Sequence, residues 1–144
     1  WLEFLRNIGL PGESIAVEIT EGLLLDVNIK INNKLLAFRN ANIQMSIDDF
    51  GTGYSSLSYL QKFDIDYLKI DRAFVCNLED DPKNQSLCTA IIVMAHELGL
   101  KVVAEGVETE AQCEFLRHAK CDYAQGYLFS KPLSVDAFER WLSA

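Results

Sequence analysis

The sequence predicts an α/β fold with a parallel sheet, and three observations point to it. Its 144 residues, 49% of them hydrophobic, are enough for one ordinary domain. Strand-like apolar runs alternate with helix-like stretches five times along the chain, which indicates parallel strands joined by helical crossovers. No glycine-rich dinucleotide fingerprint follows any predicted strand, which argues against a Rossmann domain. A doubly wound sheet and a (β/α)8 barrel both fit this pattern.

The first part of the chain predicts two helices around one strand. Residues 1–6 are typical of an amphipathic helix that ends near Gly9. Residues 14–21 form an apolar run that predicts a buried strand. Asn28 is the expected N-cap of a helix that continues to about residue 40. The inner face of that helix is predicted to carry three side chains spaced i, i+4 and i+7: Ile31, Leu35 and Phe38.

The next segment is the one that most suggests chemistry. Residues 43–47 alternate apolar and polar side chains, as a strand does, and stop at the adjacent carboxylates of Asp48 and Asp49. Gly51 follows in a glycine-rich loop that can adopt positive φ, and a short helix is expected at residues 55–62. Two adjacent carboxylates at a strand end indicate either a divalent-metal site or a solvated Asx-type turn. This segment alone does not decide between them.

Two further strands and a long helix are predicted next. Residues 66–71 and residues 100–105 are apolar runs of strand length. Between them, Asp81 as N-cap and Pro82 at the first helical position predict a helix that ends at Gly99. Its apolar face is predicted to contain five side chains at helical spacing: Leu87, Ile91, Met94, Ala95 and Leu98.

The remaining segment predicts two helices and a weaker strand. Thr109 and Gln112 have the spacing of a capping box, which marks the start of a helix. A weaker strand follows at residues 121–126, and Ser134 is the expected N-cap of the last helix. That helix is predicted to present one apolar face: Ala137, Phe138, Trp141 and Leu142.

The composition excludes some classes of function. The formal net charge is −8, whereas modules that bind duplex nucleic acid are usually basic, so we predict no binding to a DNA or RNA duplex. No apolar stretch is long enough to span a bilayer. The chain does not begin with Met and starts within a predicted helix, so we expect it to be a piece of a longer protein.

The cysteines and histidines lack the spacing of a metal site. The four cysteines form no CxxC pair and are predicted to be reduced thiols used mainly in packing: Cys76, Cys88, Cys113 and Cys121. Reduced thiols are typical of a cytoplasmic protein. His96 and His118 have no His or Cys partner at metal-ligand spacing and are interpreted as helix-surface residues.

Every predicted strand carries polar residues at its carboxyl end, where the chemistry of parallel α/β folds takes place. A single polar residue at a strand end commonly does no more than contact water. Here all the strands contribute, so a shared site is the better interpretation. In chain order the strand ends carry Glu18 and Glu21, Asp48 and Asp49, Lys69 and Asp71, Glu105 and Glu108, and Gln125.

Charges gathered in this way need compensation. Glu18 and Lys69 lie within apolar runs, where a charged side chain is seldom buried without a partner. Two divalent cations would neutralise converging carboxylates and activate water. Lys69 would then face a phosphate oxygen or the attacking water, as metal-assisted phosphodiester hydrolysis requires. An enolase-like barrel, whose strand lysine abstracts a proton α to a carboxylate, uses similar parts and remains an alternative.

Five short motifs carry a resemblance to a known family. The series VEITE, SIDDFGTGYSSL, YLKID, VVAEGVET and QGYLFSKP resembles the EAL domain family, in order and across nearly the whole chain. The resemblance implies a (β/α)8 barrel of the EAL type in a bacterial, cytoplasmic protein. It also implies hydrolysis of the second messenger cyclic di-GMP to linear pGpG, with a two-metal site that holds Mg²⁺ or Mn²⁺.

The resemblance further implies a role for each matching position. Four residues would bind metal: Glu18, Asp48, Asp49 and Glu105. Glu105 would also be the general base, and Lys69 would contact the catalytic water or the scissile phosphate. The supporting positions would be Gln125 near the phosphate, Glu21 at the loop after Asp49, Glu108 in the loop after Glu105, and Pro132 at the guanine pocket.

Part of the family pattern is missing from this sequence. The Glu-Ala-Leu motif of the first strand and a metal-binding Asn of the second are not present, and a full barrel needs about 250 residues. We therefore expect residues 1–144 to be the C-terminal part of a single EAL domain, a partial barrel of about five βα units. The alternative function is a catalytically silent module that binds cyclic di-GMP or docks a protein. The expected partners are cyclic di-GMP, a second copy of the protein, and upstream sensory or GGDEF domains.

Overall fold

A computed structural model describes residues 1–25, 29–51, 60 and 63–143. The strands in this part of the chain are β1 (Ala16–Thr20), β2 (Gln44–Phe50), β3 (Tyr67–Ile70), β4 (Lys101–Glu105) and β5 (Tyr123–Gln125). The α-helices are α1 (Leu2–Asn7), α2 (Glu21–Leu25), α3 (Ile29–Asn40), α4 (Arg72–Val75), α5 (Pro82–Glu97), α6 (Glu110–His118) and α7 (Val135–Leu142). A 3-10 turn at Gly12–Ser14 precedes β1.

The strands lie in the sheet in the order in which they occur in the chain. The order is β1-β2-β3-β4-β5, and each neighbouring pair is parallel. A doubly wound sheet reverses its strand order at a switch point, whereas a barrel adds each strand beside the previous one. The observed order therefore selects the barrel from the two predicted folds, and the described strands form an arc of it.

The two faces of the sheet differ in polarity because neighbouring strands are in register. Ile47 pairs with Ile19 on one side and with Leu68 on the other, and Leu68 pairs with Val102. These four side chains are buried. The helices complete the same core with further buried side chains, among them Leu35, Val75, Ile92 and Leu116. Successive residues of a strand point to opposite faces, so the other face receives the polar residues.

Two helix starts agree with their predicted capping signals. Asp81 caps α5, and its Oδ1 accepts a hydrogen bond from the Lys83 N–H at 2.9 Å. The capping box of Thr109 and Gln112 forms at the start of α6. Both predictions are confirmed, because these motifs satisfy the free N–H groups of a first turn with local side chains.

Three other predictions about helix starts have different outcomes. Ser134 occupies the N-cap position of α7, but its side chain makes no capping hydrogen bond there. The predicted cap at Asn28 lies outside the described residues. Apart from Leu60, so does the predicted helix at residues 55–62.

The first two strands differ from the prediction. The segment at 14–21 was predicted as a buried strand, but β1 lies at an edge of the described sheet, and Ala16, Glu18 and Thr20 are exposed. The second strand does not stop at the aspartate pair, since β2 continues to Phe50. Its pairing with β3 shifts register between Ile47 and Phe50. This irregularity places the acidic pair inside the strand.

Two short helices, α2 and α4, were not predicted. Each follows a strand directly, and Asp71 caps α4 by accepting a hydrogen bond from the Ala73 N–H at 2.8 Å. Helices of four or five residues contain little more than one turn, so they are too short to produce a periodic hydrophobic pattern.

The predicted helix faces are correct for α3 and partly wrong for α5 and α7. Leu35 is buried, with Ile31 and Phe38 packed against the core. In α5, Leu87 is 47% exposed, whereas the other four predicted residues are buried or packed against the core. The buried side of this helix is rotated towards Cys88 and Ile92, which are fully buried together with Ala95. In α7 most of the predicted apolar face is exposed: Phe138, Trp141 and Leu142.

The cysteines and histidines have ordinary structural environments. All four cysteines are free thiols, and Cys88 is buried whereas Cys76 is exposed. His96, on α5, lies 2.8 Å from a carboxylate oxygen of Asp122. His118, at the end of α6, is exposed. Among the described residues, every helix is too short or too polar to traverse a bilayer.

Candidate functional site

Lys69 lies on the polar face of the sheet and contacts carboxylates from three other strands. Its Nζ is 2.7 Å from Glu18 Oε1, 2.9 Å from Asp48 Oδ1 and 2.7 Å from Glu105 Oε1. The Lys69 side chain is only 7% exposed, whereas those of its partners are 20–53% exposed. One buried ammonium group is therefore enclosed by acids from β1, β2 and β4.

Asp48 and Asp49 reach the same cluster because β2 is irregular at this point. Adjacent residues of a regular strand point to opposite faces. Asp49 has φ of 55°, in the left-handed region, and the pairing with β3 shifts register next to it. Asp and Asn tolerate this conformation better than most residues. The local bulge thus turns two consecutive carboxylates toward one site.

Three carboxylates are close enough to share a cation. Asp48, Asp49 and Glu105 each offer an oxygen atom, and these atoms lie within 4.8 Å of one another. Mg²⁺ and Mn²⁺ prefer oxygen ligands, and carboxylates above all. This set of donors fits such an ion, whereas the described residues include no cluster of nitrogen or sulfur ligands at the site.

The electrostatics of the cluster show how closely its charges interact. Burial lowers the pKa of Lys69, but hydrogen bonds to Glu105, Glu18 and Asp48 outweigh it and hold that pKa well above its usual value. Repulsion from Asp48 raises the pKa of Asp49, and burial and Asp71 act in the same direction. Added positive charge would relieve this repulsion.

Glu21 joins the first strand to the loop that follows the aspartate pair. It is the first residue of α2, it is 7% exposed, and its Oε2 accepts a hydrogen bond from the Gly51 N–H at 3.2 Å. Gly51 has φ of 95°, and a Cβ there would lie 3.0 Å from the ring of Phe74. Both observations show a turn fixed in place beside Asp49.

Glu108 lies in the loop after β4 and pairs with a residue from the end of β3. The Nη2 group of Arg72 donates a hydrogen bond to Glu108 Oε1 at 2.8 Å. The backbone N–H of Glu108 is held by Gln112 Oε1 at 2.8 Å. Glu108 therefore contacts the site's supporting loops, and the structure does not place it among the carboxylates around Lys69.

Gln125 and Pro132 lie on the β5 side. Gln125 ends β5 and pairs in register with Glu105, so its exposed side chain points to the same face of the sheet as the carboxylate cluster. Pro132 lines an open groove of about 560 Å³ whose wall also includes Gln125 and Tyr127. The groove lies beside β5 and is also lined by Phe138 and Trp141 of α7.

Two neighbours of the site were not assigned a role from the sequence. Asp71 raises the pKa of Asp49, and Arg72 contacts Glu108. Asp71 is the last residue of the YLKID segment and Arg72 follows it, so their position just after β3 was the available signal. Their partners come from other strands and could not be read from local spacing.

Comparison with known proteins identifies the family. A sequence profile of the EAL domain matches residues 1–132. This chain belongs to the EAL domain family. The match favours the EAL interpretation of the acidic cluster over the enolase-like alternative.

Relatives within the EAL family agree in sequence and in structure. The cyclic di-GMP phosphodiesterase NbdA of Pseudomonas aeruginosa is 45% identical over 143 residues, which cover 97% of this chain and 18% of NbdA. The EAL domain of Mycobacterium smegmatis DcpA has a TM-score of 0.90 at 40% identity, with 99% of this chain and 64% of that chain covered. Klebsiella pneumoniae BlrP1, in a complex with manganese and cyclic di-GMP, has a TM-score of 0.82 at 34% identity, with 91% and 33% covered.

This chain is much shorter than its EAL relatives. This chain spans 17–22% of the length of eight curated relatives that it matches. Membership of the family and the barrel fold therefore apply to this chain directly. The activity of the longer proteins bears on it only through the site residues that it contains.

Proposed function

We propose that this chain carries the larger part of the catalytic centre of a cyclic di-GMP phosphodiesterase, which uses Mg²⁺ or Mn²⁺ and produces linear pGpG. One observation supports this function best. The carboxylates of Asp48, Asp49 and Glu105 lie within 4.8 Å of one another, beside the buried ammonium of Lys69. The name of NbdA and the contents of the BlrP1 complex agree with this function.

The charge of the site suits two divalent cations and a phosphodiester. Four carboxylates, those of Glu18, Asp48, Asp49 and Glu105, face one ammonium, so the cluster carries four minus one, or three, negative charges at neutral pH. Two divalent cations change this total to plus one, and the single negative charge of a phosphodiester makes it zero. Without metal, the cluster would repel the substrate.

The chain's own residues have distinct roles in this hydrolysis. Bound divalent cations supply Lewis-acid activation of water and of the phosphate. Glu105 would take a proton from the water that adds to phosphorus, and the same proton would pass to the departing 3′ oxygen as the P–O3′ bond breaks, which restores the Glu105 carboxylate. Lys69 donates to a phosphate oxygen or to the attacking water, and its 2.7 Å contact orients the Glu105 carboxylate. Orientation of the reacting groups accounts for much of the reduction of an activation barrier. The role of Lys69 therefore depends on this contact with Glu105.

The remaining residues support or border the reacting centre in this proposal. Glu21 fixes the turn after Asp49 through Gly51. Glu108 fixes the loop after Glu105. Gln125 lies beside Glu105 in the sheet and is placed to contact the phosphate. Pro132 lies on the groove that would receive a guanine base.

The wider context is also part of the proposal. We infer that residues 1–144 are the C-terminal part of one EAL domain. The superposition on the DcpA EAL domain includes 99% of this chain but only 64% of the DcpA chain, as expected for a part of a domain. Such a domain would act as a homodimer in the bacterial cytoplasm, attached to sensory or GGDEF domains. The additional metal ligands would come from the strands that complete the barrel.

The test is hydrolysis of cyclic di-GMP by a protein that contains this chain within a complete EAL domain. With Mn²⁺, Glu105→Gln is expected to lower kcat by about 10²–10⁴-fold, the usual range for a general base. Glu110→Gln is the control, because Glu110 is an exposed glutamate in the first turn of α6. Turnover in Glu105→Gln equal to that of the control would contradict the role of Glu105.

Calorimetry separates the phosphodiesterase from the silent binding module. Cyclic di-GMP is titrated with Ca²⁺, which fits oxygen ligands, into the unmutated protein and into Glu105→Gln. Turnover is measured separately with Mn²⁺. Binding of cyclic di-GMP by both proteins, with turnover only by the unmutated protein, supports the enzyme. Binding without turnover in the unmutated protein supports the binding module instead.

A further inference from the structure

The turn after Glu105 is closed on one side by Arg72. Gly106 has φ of 70°, and a Cβ on it would lie 2.3 Å from Arg72 Cγ and 2.8 Å from Cβ and Cδ. The aliphatic stem of Arg72 therefore lies directly over the bare backbone of Gly106. Glycine changes conformation more readily than other residues, and a side chain packed over it removes the space that such a change would need.

The guanidinium of Arg72 is anchored beyond the turn. It donates a hydrogen bond to Glu108 Oε1 at 2.8 Å. The backbone of Glu108 is held in turn by Gln112, which is 4% exposed and whose Nε2 donates to the Cys76 carbonyl at 3.4 Å. Arg72 thus connects the end of β3 to the firmly held start of α6.

The opposite side of the turn is fixed by backbone hydrogen bonds. The Val107 N–H donates to the Gln125 carbonyl at 3.0 Å, and the Leu128 N–H donates to the Val107 carbonyl at 3.0 Å. A Cβ on Gly126 would lie 2.1 Å from the Val107 oxygen. Since β5 holds one side of the segment at 106–108 so closely, Arg72 is the contact that closes the other side.

We propose that Arg72 is a positioning residue for Glu105. Its stem and its ion pair hold the turn at Gly106 in one conformation, and this keeps the preceding carboxylate aimed at Lys69. The inference rests on the proposed function, because it assigns Arg72 to the step in which Glu105 accepts a proton. Arg72 itself contacts no reacting atom in this proposal.

The experiment compares Arg72→Ala and Arg72→Lys with Arg117→Ala in the protein that contains the complete EAL domain. Arg117 is the matched control, because it is an arginine of similar exposure, 69% against 63%, and pairs with Glu114 on the surface of α6. Two quantities are measured: kcat and KM for cyclic di-GMP with Mn²⁺, and amide hydrogen exchange at Val107 and Glu108.

Arg72→Ala is expected to lower kcat about tenfold with little change in KM, since small displacements of a reacting group cost at least this much. Exchange at Val107 and Glu108 is expected to become faster. Arg72→Lys keeps an aliphatic stem and a positive charge, so it should retain most of the kcat and most of the protection from exchange. Arg117→Ala should change neither kcat nor exchange. Unchanged kcat or unchanged exchange in Arg72→Ala overturns the inference. An inactive unmutated protein would overturn the proposed function instead, and exchange would still decide whether Arg72 holds the turn.

Discussion

Lys69 and Glu105 meet across adjacent parallel strands, with Nζ 2.7 Å from Oε1. In the pairing of β3 with β4, Lys69 lies opposite Val103. Residues two apart share one face of a strand, so the lysine side chain reaches two residues further along β4, to Glu105. The same ammonium also contacts Glu18 and Asp48. Lys69 is therefore a counter-ion for the whole cluster as well as a candidate to contact substrate.

Replacing Lys69 by Met should destabilise the protein most when divalent cations are absent. Loss of one partner from a buried ion pair costs about 3–5 kcal/mol, but the partners here are partly exposed, so we expect about 2 kcal/mol in the free energy of unfolding. Added Mn²⁺ should recover a large part of this loss, because it supplies positive charge to the same carboxylates. Chemical denaturation with EDTA and with Mn²⁺ measures both values.

Lys101→Met is the control for this measurement. Lys101 is an exposed lysine at the start of β4, near Tyr123. It should show a small loss of stability and no dependence on Mn²⁺. Equal effects of Mn²⁺ on the two variants would show that the ion does not act at the carboxylate cluster.

The parallel sheet and the acidic cluster could be predicted from the sequence pattern, whereas the order of the strands and the exact course of β2 could not. Alternating β and α patterns determine which elements exist, and polar residues at strand ends meet at one edge of a parallel sheet. The pattern ended β2 at Ile47, because two carboxylates are unusual inside a strand. Positive φ at Asp49 and the shifted pairing with β3 are tertiary features. They leave no periodic signal in the sequence.

The error in α5 has a similar physical origin. Leu87 and Cys88 are adjacent, so the helix offers two neighbouring apolar stripes, and its docking against the sheet selects the stripe with Cys88. Hydrophobic spacing specifies that a helix is amphipathic, but it leaves the rotation of the helix about its axis undetermined when apolar residues cover a wide arc.

The exposure of Glu18 also differs from the expectation. Its apolar neighbours in the sequence suggested burial, whereas the edge position of β1 leaves the side chain half exposed.

Gly106→Ala should lower the free energy of unfolding by less when Arg72 is also replaced by Ala. Alanine in the left-handed region costs about 1–2 kcal/mol, and the new Cβ would also overlap the Arg72 stem. The double variant keeps the backbone strain but removes the overlap, so we expect a coupling of about 1 kcal/mol, within the range for residues in contact. Urea denaturation of the four proteins in the cycle measures it. Strictly additive changes would mean that the stem moves away without cost.

Asp122→Asn should weaken the protein at neutral pH but much less in acid. Burial raises the pKa of Asp122, but hydrogen bonds from His96 and the Val102 N–H outweigh it, so the pKa is lowered from 3.8. A lowered pKa in the folded state gives stability that is present above 3.8 and is lost as the pH falls through the folded value. The difference in unfolding free energy between Asp122→Asn and the unmutated protein should therefore shrink below about pH 4.

The control for this pH dependence is Asp80→Asn, a substitution of an exposed aspartate in the loop before α5. Its unfolding free energy should follow that of the unmutated protein at every pH. Stability is measured by urea denaturation between pH 3 and pH 7. A constant difference for Asp122→Asn over this interval would show that its carboxylate contributes no more stability than an amide.

The thiols of Cys88 and Cys121 should react far more slowly with iodoacetamide than that of Cys76. Burial raises the pKa of Cys88 and of Cys121 to about 11, so at pH 8 only about one such thiol in a thousand is the reactive thiolate. Cys76 is exposed and should be alkylated first. Mass spectrometry of digested samples, taken over time at pH 8, measures each rate separately. Cys76→Ser should leave the rates of Cys88 and Cys121 unchanged. Equal rates for Cys76 and Cys88 in the folded protein would contradict the buried packing of α5 against the sheet.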